Sequence, residues 1–175
     1  MTKAKSTLLQ RIIEGVAVNG LADRSLRELA ESAGTSHRML LYHFGSRAGL
    51  VAAIVASIET TQRDVLIELS AEAADAGELV IALWRRVSST EMLPFVRVFF
   101  ECVAATGGDG LTDPWIEVSE SVSGTLGVAF DPDEIRLGVA VTRGLLIDVL
   151  ATGDNAAATR SLERFVELWQ SAEAV

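Results

Sequence analysis

The stretch SLRELAESAGTSHRMLLYHF, residues 25–44, leaves a chain like this few options. Leu26, Leu29, Ala30 and Ala33 recur at helical spacing, Gly34 interrupts, and Leu40 and Phe44 form an apolar face on the far side. Ser25 and Ser36 stand at N-cap positions, where a hydroxyl can accept from the free amides of a first turn. The stretch therefore predicts two short helices joined by a tight glycine turn, with Leu40 and Phe44 locking the second helix onto its neighbours.

The rest of the chain reads the same way. Leu8, Leu9, Ile12, Ile13 and Val16 predict a first helix over about 6–19, stopped by Asn19-Gly20. After Gly45-Ser46, apolar residues from Leu50 to Leu69 keep helical spacing and predict a long fourth helix over about 46–74. Leu79, Val80, Leu83, Trp84 and Val87 give a fifth, and Met92 to Val103 a sixth, in which Pro94 is tolerable only in the first turn. Pro114-Trp115 opens a seventh, Asp131-Pro132 caps and opens an eighth reaching about Ala151, and a ninth spans about 156–172. No stretch alternates as a strand does, and no internal repeat is present. The expectation is an all-α fold of about nine helices. Residues 1–48 would form a three-helix module and residues 49–175 a larger helical domain.

Composition decides between kinds of partner. The net charge of −9 argues at first against nucleic acid, but the charge is unevenly spread. Residues 1–50 hold seven basic against four acidic residues, a net of +3, whereas the remainder holds eight against twenty, a net of −12. Such a split fits two modules with different partners. The richest apolar stretch, IRLGVAVTRGLLIDVL, is broken by Arg136, Arg143 and Asp148, which excludes a membrane span. Gln10, Arg11 and Glu14 likewise break any signal-peptide run. The single cysteine, Cys102, sits among apolar neighbours and fits a buried thiol in a reducing cytoplasm. Two histidines six residues apart and one distant cysteine make no metal site. The run GGDG at 107–110 has no strand before it and no Lys-Ser/Thr after it, so it reads as a connector. No catalytic constellation is placed by any motif, and neither an enzyme nor a cofactor is expected.

A helix, a tight turn and a second short helix form the arrangement in which the second helix can enter a major groove about 12 Å wide. With Leu40 and Phe44 turned inward, His37, Arg38, Leu41 and Tyr42 are left to face outward. Arg38 can donate to a base edge or a phosphate, and Tyr42 and His43 carry polar tips suited to phosphates. Arg27, Arg47, Lys3 and Lys5 would ring that surface with positive charge. Ser25, Ser36 and Ser46 each begin a helix, whose N-terminal amides also suit phosphate oxygens. Taken singly, each of these residues would equally suit a solvated helix face.

The sequence GLADRSLRELAESAGTSHRMLLYHFGSRAGLVAAI resembles the DNA-binding domain of the tetracycline-repressor (TetR) family over residues 8–58, most closely over 25–50. The likeness is carried by RELA, AGTS, LLYHF and SRAGL at matching spacing. It departs at Val16 and Leu21, where the family often has aromatics, and at Met39, where small residues are frequent. The alignment also sets Leu41 where the family usually has a phosphate-contacting tyrosine, with Tyr42 one position later, and Arg47 in place of a lysine.

The resemblance implies a homodimer that reads an operator in double-stranded DNA through Ser25, Arg27, Ser36, His37, Arg38, Leu41, Tyr42, His43 and Arg47. It also implies a small-molecule effector site in the C-terminal helices and a dimer interface on the last two. Trp84, Phe95, Phe99 and Trp115 are the residues expected to bind the effector, which their character makes largely apolar, although aromatics at helical spacing more often fill a core. The expected function is a ligand-responsive transcriptional regulator, a repressor. The alternative is a helical ligand-binding or scaffold protein that no longer reads DNA.

Overall fold

The computed structural model describes residues 3–21, 24–106 and 111–173. Among them the chain forms nine helices and no strand: α1 (Lys3–Asn19), α2 (Leu26–Ser32), α3 (His37–Phe44), α4 (Arg47–Ser70), α5 (Ala76–Val87), α6 (Leu93–Thr106), α7 (Asp113–Leu126), α8 (Pro132–Thr152) and α9 (Asn155–Glu173). The all-α expectation holds, helix for helix. The glycine-rich connector read at 107–110 lies outside the described residues.

The helices gather into two compact units. One consists of residues 1–60 with 94–109, the other of 61–93 with 110–175. In the first, the apolar stripe of α1 is buried, as are Leu29 and Ala30 of α2, Leu40 and Phe44 of α3, and Leu50, Val51 and Ile54 of α4. The same unit takes up α6 with Val96, Val98, Phe99 and Cys102 buried. A fourth helix reaching 74 is shortened to Ser70 because Asp75 must leave helical geometry to cap α5. Its φ of −152° and ψ of 175° are extended, and its carboxylate accepts the Glu78 amide at 2.9 Å.

In the second unit α5 packs on α9, and α8 on both α7 and α9. A chain of polar contacts ties α5 to α9. The Trp84 indole donates to Thr159 Oγ1 at 2.8 Å, the Thr159 hydroxyl donates to Asn155 Oδ1 at 3.1 Å, and Asn155 Nδ2 donates to the Ser88 carbonyl at 2.7 Å. Pro132 opens α8 as read from the sequence, with a full capping box between Asp131 and Glu134. No single helix among the described residues is long and apolar enough to cross a membrane.

Candidate nucleic-acid interface

The turn between α2 and α3 is built by backbone hydrogen bonds that only a left-handed residue can close. Gly34 takes φ +65°, its N–H donates to the Glu31 carbonyl at 3.1 Å, and the Thr35 N–H donates to the Ala30 carbonyl at 2.9 Å. This is a Schellman closure with glycine just beyond the helix end. Ser36 then caps α3, accepting the Met39 amide at 3.2 Å. The helix is thus started and aimed within two residues of the end of its predecessor's cap.

Burial sorts the faces of α3. Leu40 and Phe44 are buried, while Ser36, His37, Arg38, Met39, Leu41 and Tyr42 are exposed. Tyr42 is 79% exposed, about twice as open as Met39 and Leu41. His43 is half-buried and meets the Tyr42 ring edge-on at 5.0 Å between centroids. An exposed tyrosine, an arginine and a histidine on one short helix can offer hydrogen-bond donors to phosphates and base edges.

The surrounding cations divide into two kinds. Arg27 and Arg38 are exposed and make no ion pair or side-chain hydrogen bond among the described residues. Lys5 lies over the Phe44 ring, with Nζ 5.2 Å from its centroid. Arg47, by contrast, is half-buried and turned inward, where Nε donates to the Arg24 carbonyl and Nη2 to the Leu21 carbonyl, each at 3.4 Å. Ser25 is occupied by the α2 capping box. Its N–H and hydroxyl both donate to Glu28 Oε2 at 2.7 Å, and its hydroxyl oxygen accepts the Glu28 amide at 3.3 Å. The hydroxyl first, and the amide second, hold the Glu28 carboxyl below the usual carboxylate range.

Two supporting residues escaped the sequence reading. A Cβ at Gly49 would run into the Phe44 carbonyl oxygen, so only glycine allows α4 to start this close to the end of α3. Glu101, on α6, accepts the Leu21 N–H at 3.1 Å while Arg47 holds the carbonyl of the same residue. Beside them, burial first and the Glu101 charge second push the Cys102 thiol up to about 12, with Arg47 opposing.

The second unit holds a cavity of about 130 Å³. Its walls come from the end of α4, from α5, α7, α8 and α9, and from Phe130. Trp115 is in the wall, together with Phe130, Phe165 and Trp169, whose rings the sequence did not bring together. Trp84 is buried with its N–H on Thr159, outside this wall. Phe95 is half-buried and Phe99 buried on α6, in the other unit, where Phe99 meets Phe100 edge-on at 5.2 Å.

The α9 stripe of Leu162, Phe165, Val166 and Trp169 turns inward: Leu162 and Val166 are buried, and the two aromatics line the cavity. What α8 leaves outside is a different stripe. Leu137, Ala140, Gly144, Ile147 and Ala151 are all exposed at alternating spacings of three and four, with Leu137 at 54% and Ile147 at 52%. On α9, Leu168 is exposed at 55%.

Residues 13–54 match the family model described as bacterial regulatory proteins, tetR family. No curated protein matches the chain. Among solved structures, a TetR-family transcriptional regulator from Pectobacterium atrosepticum superposes with a TM-score of 0.75 at 22% identity, over 97% of this chain and 95% of that one. The multidrug binding protein EbrR complexed with imidazole gives 0.65 at 25% identity, over 94% and 90% of the two chains. EbrR complexed with ethidium gives 0.68 at 24%, over 93% and 97%.

Proposed function

We propose that this chain, which belongs to the TetR family of bacterial regulatory proteins, is a homodimeric repressor that binds a palindromic operator through α3 and lets go when a small molecule occupies the cavity of its second unit. The observation that carries this reading is the outer face of α3. His37, Arg38, Leu41 and Tyr42 stand exposed on a helix whose start and opposite face are fixed by the Ser36 cap and by buried Leu40 and Phe44. A rigid helix with donors on its free face is what direct readout of a major groove requires.

Arg27, Ser36, His37, Arg38, Tyr42 and His43 are assigned to DNA, with Leu41 assigned to a sugar or a thymine methyl, while Ser25, whose N–H and hydroxyl are both spent on Glu28, serves the same surface by capping α2. Arg47 is assigned to the same surface through its hold on the 21–24 backbone, which orients α2. The exposed stripe on α8, with Leu168 of α9, supports a two-fold helical interface, since an unpartnered Leu and Ile at heptad-like spacing are costly to leave in water. Dimer symmetry would set two copies of α3 about 34–36 Å apart, one turn of duplex. An occupied cavity that favoured a different separation would release the operator.

EbrR is complexed with ethidium and with imidazole in its crystals, so a protein of this fold can take up planar ring compounds, and the aromatic and aliphatic lining of the cavity here supports a largely apolar effector. Genome-wide footprinting followed by anisotropy titration of the recovered duplex tests the reading. The expected result is specific binding whose logarithm falls steeply and linearly with the logarithm of salt concentration. A chain that binds no duplex at low salt would instead be the helical ligand-binding protein of the alternative reading.

A further inference from the structure

The cavity wall carries five side chains with polar ends, Gln62, Ser119, Glu134, Thr142 and Arg143, and their hydrogen bonds separate them into two groups. The charges are committed to the protein. Arg143 Nη2 donates to the Leu111 carbonyl at 3.1 Å, and Glu134 closes the α8 capping box, accepting the Asp131 amide at 3.4 Å. The Ser119 hydroxyl donates to the Ile116 carbonyl at 2.6 Å, so it has only acceptor capacity left. Gln62 and Thr142 are different: neither makes a side-chain hydrogen bond among the described residues. In the same wall the indole N–H of Trp169 is buried without an acceptor.

The rest of the lining is aliphatic or aromatic, with the Phe130 and Trp169 rings 6.4 Å apart and inclined by 31°. A volume of about 130 Å³ is close to the ~150 Å³ of an engineered apolar cavity that accepts a benzene ring. Flat rings of modest size therefore fit between these walls. An ionic group would leave water for an apolar wall that carries one charge of each sign, Arg143 and Glu134, so either kind of ion meets a repulsion with its attraction and its desolvation is poorly offset. A neutral oxygen meets an uncommitted amide and an uncommitted hydroxyl, each able both to donate and to accept.

We infer that the cavity selects uncharged aromatic molecules bearing a hydroxyl or carbonyl oxygen, which Gln62 and Thr142 recognise, over both organic cations and carboxylates. This deepens the effector reading of the cavity and rests on it.

The test uses the full-length protein without DNA and four probes of one shape: 2-naphthol, naphthalene, 2-naphthoate and N-methylquinolinium, with dissociation constants from competition NMR. The neutral 2-naphthol should bind about tenfold more tightly than naphthalene and more tightly still than either ion. Thr142→Val and Gln62→Leu should each weaken 2-naphthol binding itself and reduce its advantage over naphthalene, with far-ultraviolet circular dichroism and denaturant melts reporting that the variants fold. Tightest binding by the cation or the anion overturns the inference. So does equal binding of naphthol and naphthalene, an advantage that survives both substitutions, or the failure of all four probes to bind. Because no operator is present, a failure of DNA binding or of ligand-driven release shows in a separate titration and counts against the regulator reading alone.

Discussion

Glu101 Oε2 accepts the backbone N–H of Leu21 at 3.1 Å, joining α6 to the segment between α1 and α2 across eighty residues of chain. Leu21 itself is buried, so its amide has no ready substitute partner in water. Replacing Glu101 by alanine should lower stability by about 1–3 kcal/mol, with faster amide exchange at Leu21. Glu101→Gln keeps an acceptor oxygen and should restore most of the loss. Denaturant melts of the two variants give the comparison, and equal melts for both would show that the contact contributes little.

The two free arginines, Arg38 on the outer face of α3 and Arg27 on α2, should separate by kind of contact. Arg38→Ala is expected to relax preference at one operator base pair by about 1–3 kcal/mol, whereas Arg27→Ala should weaken all duplexes alike and lower the salt slope. Tyr42→Phe should behave as Arg27→Ala does if the phenol meets phosphate. Anisotropy titrations on a set of single-base operator variants distinguish these outcomes.

Dimerisation should respond to the stripe that α8 exposes and not to the one that α9 buries. Ile147→Glu or Leu137→Glu should yield a folded monomer by sedimentation, with weakened operator binding, because both side chains are more than half exposed in a single chain. Phe165→Glu would place a charge in the apolar cavity wall, at a half-buried position, and should cost stability instead, on the order of 1–3 kcal/mol. A dimer that survives both α8 substitutions would move the interface elsewhere.

Cys102 should be silent toward alkylating agents in the native state. Its thiol stays protonated up to about 12, so the thiolate that reacts is nearly absent at neutral pH. Because the folded value lies above the ordinary 9.0, the unfolded chain loses its proton first as pH rises. The contribution of Cys102 to stability is therefore complete below pH 9.0 and should fall between 9.0 and about 12. Iodoacetamide labelling of native and unfolded protein at pH 8, and melts of wild type against Cys102→Ala up the pH scale, check both halves.

Gly49→Ala should destabilise the junction of α3 and α4 by about 1–3 kcal/mol, since the added methyl meets the Phe44 carbonyl. Calorimetry against Gly124→Ala supplies the control, because a Cβ at Gly124, exposed on α7, meets nothing within 4 Å.

How much of this was legible in the sequence depends on the range of the interaction. Ser25, Gly34 and Ser36 act within a few residues of themselves, so the two short helices and their turn could be read directly. Helical periodicity likewise identified which residues share a face. It could not say what the face meets. Phe165 and Trp169 form the same stripe whether they close a dimer or line a cavity, and only the packing of α5, α7 and α8 against α9 decides. Arg47 looked like one more cation beside the reading helix, yet its partners are two carbonyls more than twenty residues away. Glu101 gave no signal at all, because a lone acid on an apolar helix resembles any solvated residue until the fold delivers Leu21 to it.

The unit that carries α3 is not contiguous in the chain: it needs residues 94–109 as well as 1–60. A ribosome therefore exposes the reading helix well before it has made the helix that supplies Glu101 and the buried Val96, Val98 and Phe99. Until then the Leu21 amide and the apolar face that α6 later covers stay open to water and to chaperones. The same order limits protein engineers. A hybrid chain spliced between residues 60 and 94 would carry one protein's α3 on a unit completed by another protein's α6, and it would keep full stability only where that helix offers an acceptor at the place of Glu101.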